Sequence, residues 1–387
     1  MEIRLYNEKI MLDNSVDFCA RIMSSWHLST LYGALQKLVD KEKRVLFGIV
    51  LISAHNANGI KKFRIDTSML RIIENVNIQY YYIEEDHLPK KDYIFQLFKL
   101  MSLNALNGKV LYLFSSFDYN FIWSHDFDIS PKRKIILCRT DEGSGTYLPK
   151  HDFYFIGYPE SETKIKRYLK AVLKSLIRIC VMNAFFIKGI SFKSFFLLKK
   201  YKGYFEVNKE NASYIRKVFD LPVIANSCYC REQILILKDY DYNLFSNIDS
   251  IFFYQQIIDF IRTKTDKIIY IKRHPCDTNY EFIHQIEKNN NNVIVIDSEI
   301  GIENLFIQMS PCIVFGGDST ATYTLRVLFS KPVVNFTMLY GHFKTMNPWR
   351  VKLMMRRNKY FKKDHDCILI ESLYDKKLEC LFNDNAL

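Results

Sequence analysis

Residues 45–52 read VLFGIVLI, eight consecutive positions without a charged or hydrogen-bonding side chain. The run is the length of a strand and rich in β-branched residues. A strand apolar at every position cannot leave one face in water, so it belongs to a parallel sheet covered by helices on both sides. The same kind of run recurs at 110–114 (VLYLF), 134–139 (KIILCR), 233–238 (QILILK), 267–272 (KIIYIK) and 312–315 (CIVF). Segments with a helical period lie between such runs. In 27–39 (HLSTLYGALQKLV), Leu28, Leu31, Leu35 and Leu38 share one face.

The alternation occurs in two blocks. The first has predicted strands at 16–23, 45–52, 78–83, 110–114 and 134–139, with helices at 27–39, 67–76 and 93–106. The second has strands at 233–238, 267–272, 293–296, 312–315 and 332–335, with helices at 252–263, 280–289, 303–309 and 320–329. Residues 161–200 read as helical and basic, and 201–227 as a mixed polar connection containing Pro222. A chain of 387 residues has room for two such cores. The division expected is an N-terminal Rossmann-like domain over 1–160, a basic helical connector over 161–227, and a C-terminal Rossmann-like domain with a helical tail over 228–387.

Lys+Arg outnumber Asp+Glu by 54 to 42, a net charge of +12, which favours an anionic partner: nucleic acid, a membrane surface, or a phosphorylated or acidic substrate. Nine scattered cysteines, with Cys228-Tyr229-Cys230 the closest pair, lack the spacing of a zinc or redox site and read as buried thiols in a reducing cytoplasm. The opening MEIRLYNEKIMLDNS is too charged for a secretory signal, and no apolar run is long enough for a transmembrane helix.

In parallel α/β sheets, ligands bind beyond the carboxyl ends of the strands. Asp141-Glu142-Gly143 follows the strand at 134–139 and supplies a carboxylate pair suited to a general base; an acidic turn has the same composition. Lys272-Arg273-His274-Pro275 follows 267–272 and could hold a phosphate or protonate a leaving oxygen, or be a solvated basic loop. Gly316-Gly317-Asp318-Ser319-Thr320 opens the helix at 320–329, where glycines, hydroxyls and free N–H groups attract an anion or simply cap the helix. Glu303, on a helix after the strand at 293–296, could accept ribose hydroxyls or favour the helix dipole. Ser25-Trp26-His27 follows the first strand and, with Gly143, is expected on the acceptor side. Asp239-Tyr240-Asp241 and Asp126-Phe127-Asp128 have the spacing of a metal–nucleotide motif but read as surface turns.

Taken as an ordered set, Asp141-Glu142-Gly143, His274-Pro275 and Ser319-Thr320 resemble the motifs of bacterial GT-B sialyltransferases. The phrases LCRTDEGSGTYL, ILILKDYD and YIKRHP are most similar to the lipooligosaccharide sialyltransferases (glycosyltransferase family fifty-two), with the bacterial polysialyltransferases close relatives. The resemblance implies an α/β, GT-B fold: two Rossmann-like domains whose parallel sheets face a central cleft. It implies transfer of sialic acid from CMP-Neu5Ac to a sugar hydroxyl of a bacterial surface glycan, lipooligosaccharide or capsule. Asp141 would be the base, with Glu142 in reserve. His274 would contact the donor phosphate, beside Arg273, Pro275, Gly316, Gly317, Ser319 and Thr320, and Glu303 would hold the ribose. No cofactor and no divalent metal are implied. The motif departs from the family in Asp318, whose charge would repel a phosphate if it pointed at it.

The expected location is the bacterial cytoplasm. The nine lysines and two arginines of 164–202 suit either an anionic inner-membrane face, where a lipid-linked acceptor would be met, or a solvated helix pair. A Kdo transferase and a nucleotide-diphosphate GT-B enzyme are the enzyme alternatives. A basic nucleic-acid-binding protein is the non-enzyme one, but no nucleic-acid-binding signature appears. Oligomeric state, acceptor and linkage stay open at this level.

Overall fold

The computed structural model describes residues 3–5, 10–53, 55–57, 60–62, 65, 69–83, 107–115, 127–129, 132–141, 165–166, 169, 173, 205, 207, 209–220, 233–239, 247–274, 277, 280–296, 302–309, 311–317, 319–329, 333–342 and 367–382. The helix expected at 93–106, the Cys228-Tyr229-Cys230 pair, and most of the basic stretch lie outside these residues. The chain divides into two compact units: Met1–Phe155 with Glu160–Asp220, and Ile156–Pro159 with Leu221–Leu387.

In chain order the first unit contains β1 (Ile3–Leu5), β2 (Ile10–Leu12), β3 (Phe18–Ile22), α1 (Ser25–Glu42), β4 (Leu46–Ser53), β5 (His55–Ala57), β6 (Ile60–Lys62), β7 (Val76–Ile83), β8 (Val110–Ser115), β9 (Phe127–Ile129), β10 (Lys134–Arg139) and α2 (Lys209–Phe219). Six strands make one all-parallel sheet in the order β1-β7-β4-β3-β8-β10. β2 and β9 form a separate parallel pair, and β5 and β6 an antiparallel one. The apolar runs behave as their composition requires, with β3 buried along its whole length and β4 along almost all of it.

Helix α1 starts where the Ser24 hydroxyl accepts the His27 N–H at 3.2 Å, satisfying one of the orphan donors of the first turn. It ends at Lys43, left-handed at φ 53°, whose N–H returns to the Val39 carbonyl. Helix α2 packs against α1 through a notch at Gly33. A Cβ there would lie 2.5 Å from the Phe205 ring and 2.8 Å from Ile215, so only glycine allows this approach. Phe205, Val207 and α2 had been read as part of the polar connection. They belong instead to the first unit, because α2 turns Ala212 and Ile215 inward.

Two buried charges close the amino-terminal ends of these strands. The fully buried guanidinium of Arg133 donates to the carbonyls of Asp13, Val16, Lys109 and Val110. Asp17 accepts from Arg44 at 2.9 Å and from the Phe47 N–H at 3.0 Å, with Lys109 3.3 Å away. The helix expected at 67–76 is not formed by the described residues 70–75. Ile73 instead bridges to Val76, and Asn75 takes a left-handed φ of 62° in a turn leading into β7.

The second unit contains β11 (Gln233–Leu237), α3 (Asn247–Arg262), β12 (Ile268–Lys272), α4 (Tyr280–Asn289), β13 (Val293–Ile296), α5 (Ile302–Met309), β14 (Ile313–Gly316), α6 (Thr320–Phe329), β15 (Val333–Asn335), a 3-10 turn (Thr337–His342), β16 (Ile368–Leu369) and α7 (Lys376–Phe382). Its sheet is also all parallel, in the order β13-β12-β11-β14-β15-β16. Numbered within the sheet, this is the 3-2-1-4-5-6 order of a doubly wound nucleotide-binding fold. The strand order reverses between β11 and β14, which opens a crevice at their carboxyl ends. In the first unit the order reverses in the same way between β3 and β8.

The core of the second unit joins Ile234, Ile236, Ile269 and Ile271 of the sheet to Phe253, Tyr254, Phe282, Phe336 and Tyr340. Phe253 meets Tyr254 and Phe336 edge to face, and each such buried side chain contributes roughly 1.5–3 kcal/mol. The expected α/β class with two Rossmann-like units is what the chain forms. Of the cysteines described, Cys19, Cys138 and Cys367 are buried as expected, whereas Cys312 is half-buried and Cys380 exposed; burial pushes the Cys138 thiol up.

Candidate active site

In the first unit, β10 delivers Asp141 two residues past its end. Thr140 keeps the chain on line, its N–H bonding the Ser115 carbonyl and its backbone bridging to Phe205. Asp141 is fully buried. Its Oδ2 accepts the Val207 N–H at 3.1 Å, and its Oδ1 accepts Trp26 Nε1–H at 3.4 Å. Its carbonyl accepts the Thr30 hydroxyl at 3.3 Å. Three elements therefore fix this carboxylate: α1, β10 and the segment leading into α2. Asp141 is thus held inside the unit rather than in solvent.

Of the expected acceptor-side residues, Ser25 and His27 are buried and Trp26 is half-buried. The Met23 N–H donates to His27 Nδ1 at 3.3 Å, so a neutral ring carries its proton on Nε2. His27 thus joins the end of β3 to the first turn of α1. Trp26 serves Asp141 directly, a bond that the sequence does not reveal. Glu142 and Gly143 lie outside the described residues.

In the second unit, the loop after β12 is ordered by a buried ion cluster. Lys238 Nζ lies 2.7 Å from Asp277 Oδ2, both side chains closed to solvent, and sits over the Phe282 ring at 4.8 Å. Arg273 Nε is 3.5 Å from the same oxygen, and its Nη2 donates to the Asp277 carbonyl. Lys272 Nζ donates to the Arg273 carbonyl at 3.2 Å. The Asp277 N–H closes a turn on the His274 carbonyl at 2.9 Å. Lys272 and Arg273 are buried and half-buried His274 is the more open of the three, so the segment is not a solvated basic loop. Pro275 lies outside the described residues.

The loop after β14 is held just as tightly. Asp239 Oδ1 accepts the Ser319 N–H at 3.1 Å, and Oδ2 accepts the Tyr340 hydroxyl at 2.6 Å. Burial, with the Asp239 charge second, holds the Tyr340 phenol far above its ordinary value, so it remains a donor. Asn335 Nδ2 bonds the Gly317 carbonyl at 3.1 Å. A Cβ on Gly317 would fall 2.0 Å from Asp239 Oδ2, so glycine is required there. Ser319 is half-buried at the start of α6, and Thr320 is its first residue. Glu303 sits in the first turn of α5. Asp318 is outside the described residues.

Asp239 is the clearest departure from the sequence reading, which placed it in a surface turn. It is buried, because it directly follows the central strand β11 and receives two donors there. Tyr340, Asn335 and Asp277 were not singled out either. Asp239 could have been found by the rule applied to the other motifs, that residues just past an apolar strand face the ligand end of the sheet.

Residues 22–338 match the family model described as alpha-2,8-polysialyltransferase (POLYST). No curated protein sequence matches the chain. Among solved structures, the chain is similar to the Methanocaldococcus jannaschii UDP-GlcNAc 2-epimerase in complex with UDP-GlcNAc and UDP, at 14% identity and TM-score 0.47, covering 98% of this chain and 94% of that one. It is also similar to the E. coli ADP-heptose lps heptosyltransferase II, at 11% identity and TM-score 0.41, covering 96% and 100%. A third is the sialyltransferase from Photobacterium damsela, at 11% identity and TM-score 0.39, covering 91% and 81%. At such distances these structures assign no residue roles.

Proposed function

The chain belongs to the alpha-2,8-polysialyltransferase family, and from that membership we propose that it transfers sialic acid from CMP-Neu5Ac to a hydroxyl of a bacterial surface glycan. The match over residues 22–338 carries this reading. It takes in Asp141, His274, Ser319 and Thr320, and a chain with two Rossmann-like units has the domain content of a GT-B glycosyltransferase. The family's description names an alpha-2,8 linkage, so the acceptor proposed is a terminal sialic acid. Among the alternatives, this favours the polysialyltransferases over the lipooligosaccharide enzymes.

In this reading, Asp141 takes the proton of the acceptor hydroxyl as its oxygen attacks the anomeric carbon of the donor. The bond from that carbon to the phosphate oxygen breaks, and CMP leaves with the electron pair. The transition state is oxocarbenium-like, as in other glycosyl transfers. His274, the Ser319 and Thr320 hydroxyls and the amino terminus of α6 meet the phosphate charge, while Glu303 takes the ribose. Those groups suffice for one phosphate, so the reaction is proposed to need no divalent metal. Turnover that persists in EDTA supports this, and loss restored by magnesium overturns it.

We further place the enzyme at the cytoplasmic face of the membrane. Ile165, Leu169 and Leu173 are exposed and helical at a spacing of four within the basic stretch, which suits anionic lipid. No helix among the described residues is long and apolar enough to cross a membrane. Flotation with anionic liposomes at physiological salt tests the contact. The activity is tested by offering CMP-Neu5Ac, CMP-Kdo and UDP-sugars with galactoside and sialoside acceptors. An α-2,8-sialylated product formed only from CMP-Neu5Ac is expected; transfer from CMP-Kdo or a UDP-sugar instead would overturn the reading.

A further inference from the structure

Lys238 and Asp239 are consecutive, immediately past β11, the first strand of the second sheet and one wall of its crevice. Their side chains serve different neighbours. Lys238 reaches the loop after β12, pairing at 2.7 Å with Asp277, whose N–H fixes the His274 carbonyl. Asp239 reaches the loop after β14, taking the Ser319 N–H on one oxygen and the Tyr340 hydroxyl on the other. Both side chains are buried and neither lies on the open part of either loop. The backbone between them is tied as well: the Lys238 N–H bonds the Lys272 carbonyl and the Asp239 N–H bonds the Tyr254 hydroxyl.

We infer that Lys238 and Asp239 form a two-way brace that sets the separation of the His274 turn from the Ser319 turn, and thereby the affinity for the donor's phosphate. The inference rests on the proposed donor site in the second unit. Neither residue touches the donor; each acts through the loop that it holds. The brace also assigns the Ser319 amide. Its single N–H is given to Asp239, so the phosphate is met at this residue by the hydroxyl. Both Asp239 oxygens accept hydrogen bonds from the protein, which tempers the repulsion that a nearby carboxylate would exert on an anion.

The test compares CMP binding by calorimetry and the separate KM values for donor and acceptor in the full-length protein. His274→Ala is the reference for the donor site. Lys238→Met keeps an apolar stem on the Phe282 ring and removes the charge, and Asp239→Asn keeps one acceptor for Ser319. Each is expected to weaken CMP and raise donor KM by about tenfold, with acceptor KM within about twofold. Lys238→Arg is expected to recover most of the loss, which a general packing defect would not allow. Tyr340→Phe removes only one hydroxyl and keeps its ring on Phe253, so it serves even if the other variants do not fold; CMP about threefold weaker is expected. If His274→Ala binds CMP like the wild type, the donor-site reading fails. If His274→Ala is impaired while the brace variants that fold, Tyr340→Phe among them, bind normally, the brace is overturned and the donor site stands.

Discussion

The two units place different side chains just past the ends of similar sheets. In the first, one carboxylate, Asp141, is held by N–H donors from Trp26 and Val207. In the second, Lys238, Lys272 and Arg273 gather at the strand ends. The carboxylates there, Asp239 and Asp277, are engaged with backbone N–H groups, a phenol and cations. The difference teaches that the fold does not dictate the sign of a site. Two sheets with the same order reversal carry a held carboxylate in one case and a cluster of cations in the other, through the few residues that follow each strand; in the function proposed, these serve as proton acceptor and anion receiver.

The largest effects should separate the two roles. Asp141→Ala is expected to lower turnover by ~100-fold or more while CMP affinity stays at the wild-type value. A parallel loss of CMP affinity would break the contrast between the units. His274→Ala is expected to cost turnover on the same scale, ~100-fold, but with weakened CMP binding and an unchanged acceptor KM. Wild-type activity in both variants would sink the assignment.

A finer contrast concerns how the carboxylate is aimed. Trp26→Phe keeps an aromatic ring but removes the 3.4 Å bond to Asp141. Turnover should fall about threefold to fivefold, with donor KM unaltered. No change in steady-state kinetics would mean that Val207 and Thr30 suffice.

The smallest effect on activity is expected at the opposite end of the first sheet. Burial raises the Asp17 carboxyl, but the Arg44 bond, the Phe47 N–H and the charges of Arg44 and Lys109 outweigh it and hold the group below its ordinary range. A depressed carboxylate stabilises the fold fully above its unfolded value, about pH 4, and the contribution disappears as pH falls through the folded value. Asp17→Asn should therefore cost about 1 kcal/mol at neutral pH, discounted because Arg44 is half open to solvent, and the deficit should shrink on acidification. Denaturant melts at several pH values measure it. Turnover of the folded variant should match the wild type.

Much of the fold was legible because fully apolar strands admit few solutions. The predicted bounds for β10, α4, β13 and α6 coincide with those observed. What escaped was short or locally ambiguous. β1 is three residues, IRL, and β16 is two, and both owe their conformation to a neighbour's edge rather than to their own pattern. The turn before β7 has helical-looking apolar spacing, yet Ile72 is exposed and Asn75 is left-handed. In the site, Asp141 and His274 were visible as strand-end residues. Asp239 was missed because an acidic residue between polar neighbours looks solvated until its donors, Ser319 and Tyr340, are brought to it by distant chain. Gly33 held a clue of its own, since a glycine inside a helical pattern marks a close neighbour.

The bond from Val207 to Asp141 spans 66 residues of chain. As the polypeptide emerges from the ribosome, the first sheet can be complete while the donor that orients its carboxylate is still unmade. A chain cut at residue 160 would keep all six strands of that sheet and lack both the Val207 amide and the helix seated on Gly33. The support of Asp141 is thus complete only once the segment that follows the basic stretch has been made, a little past the middle of the chain.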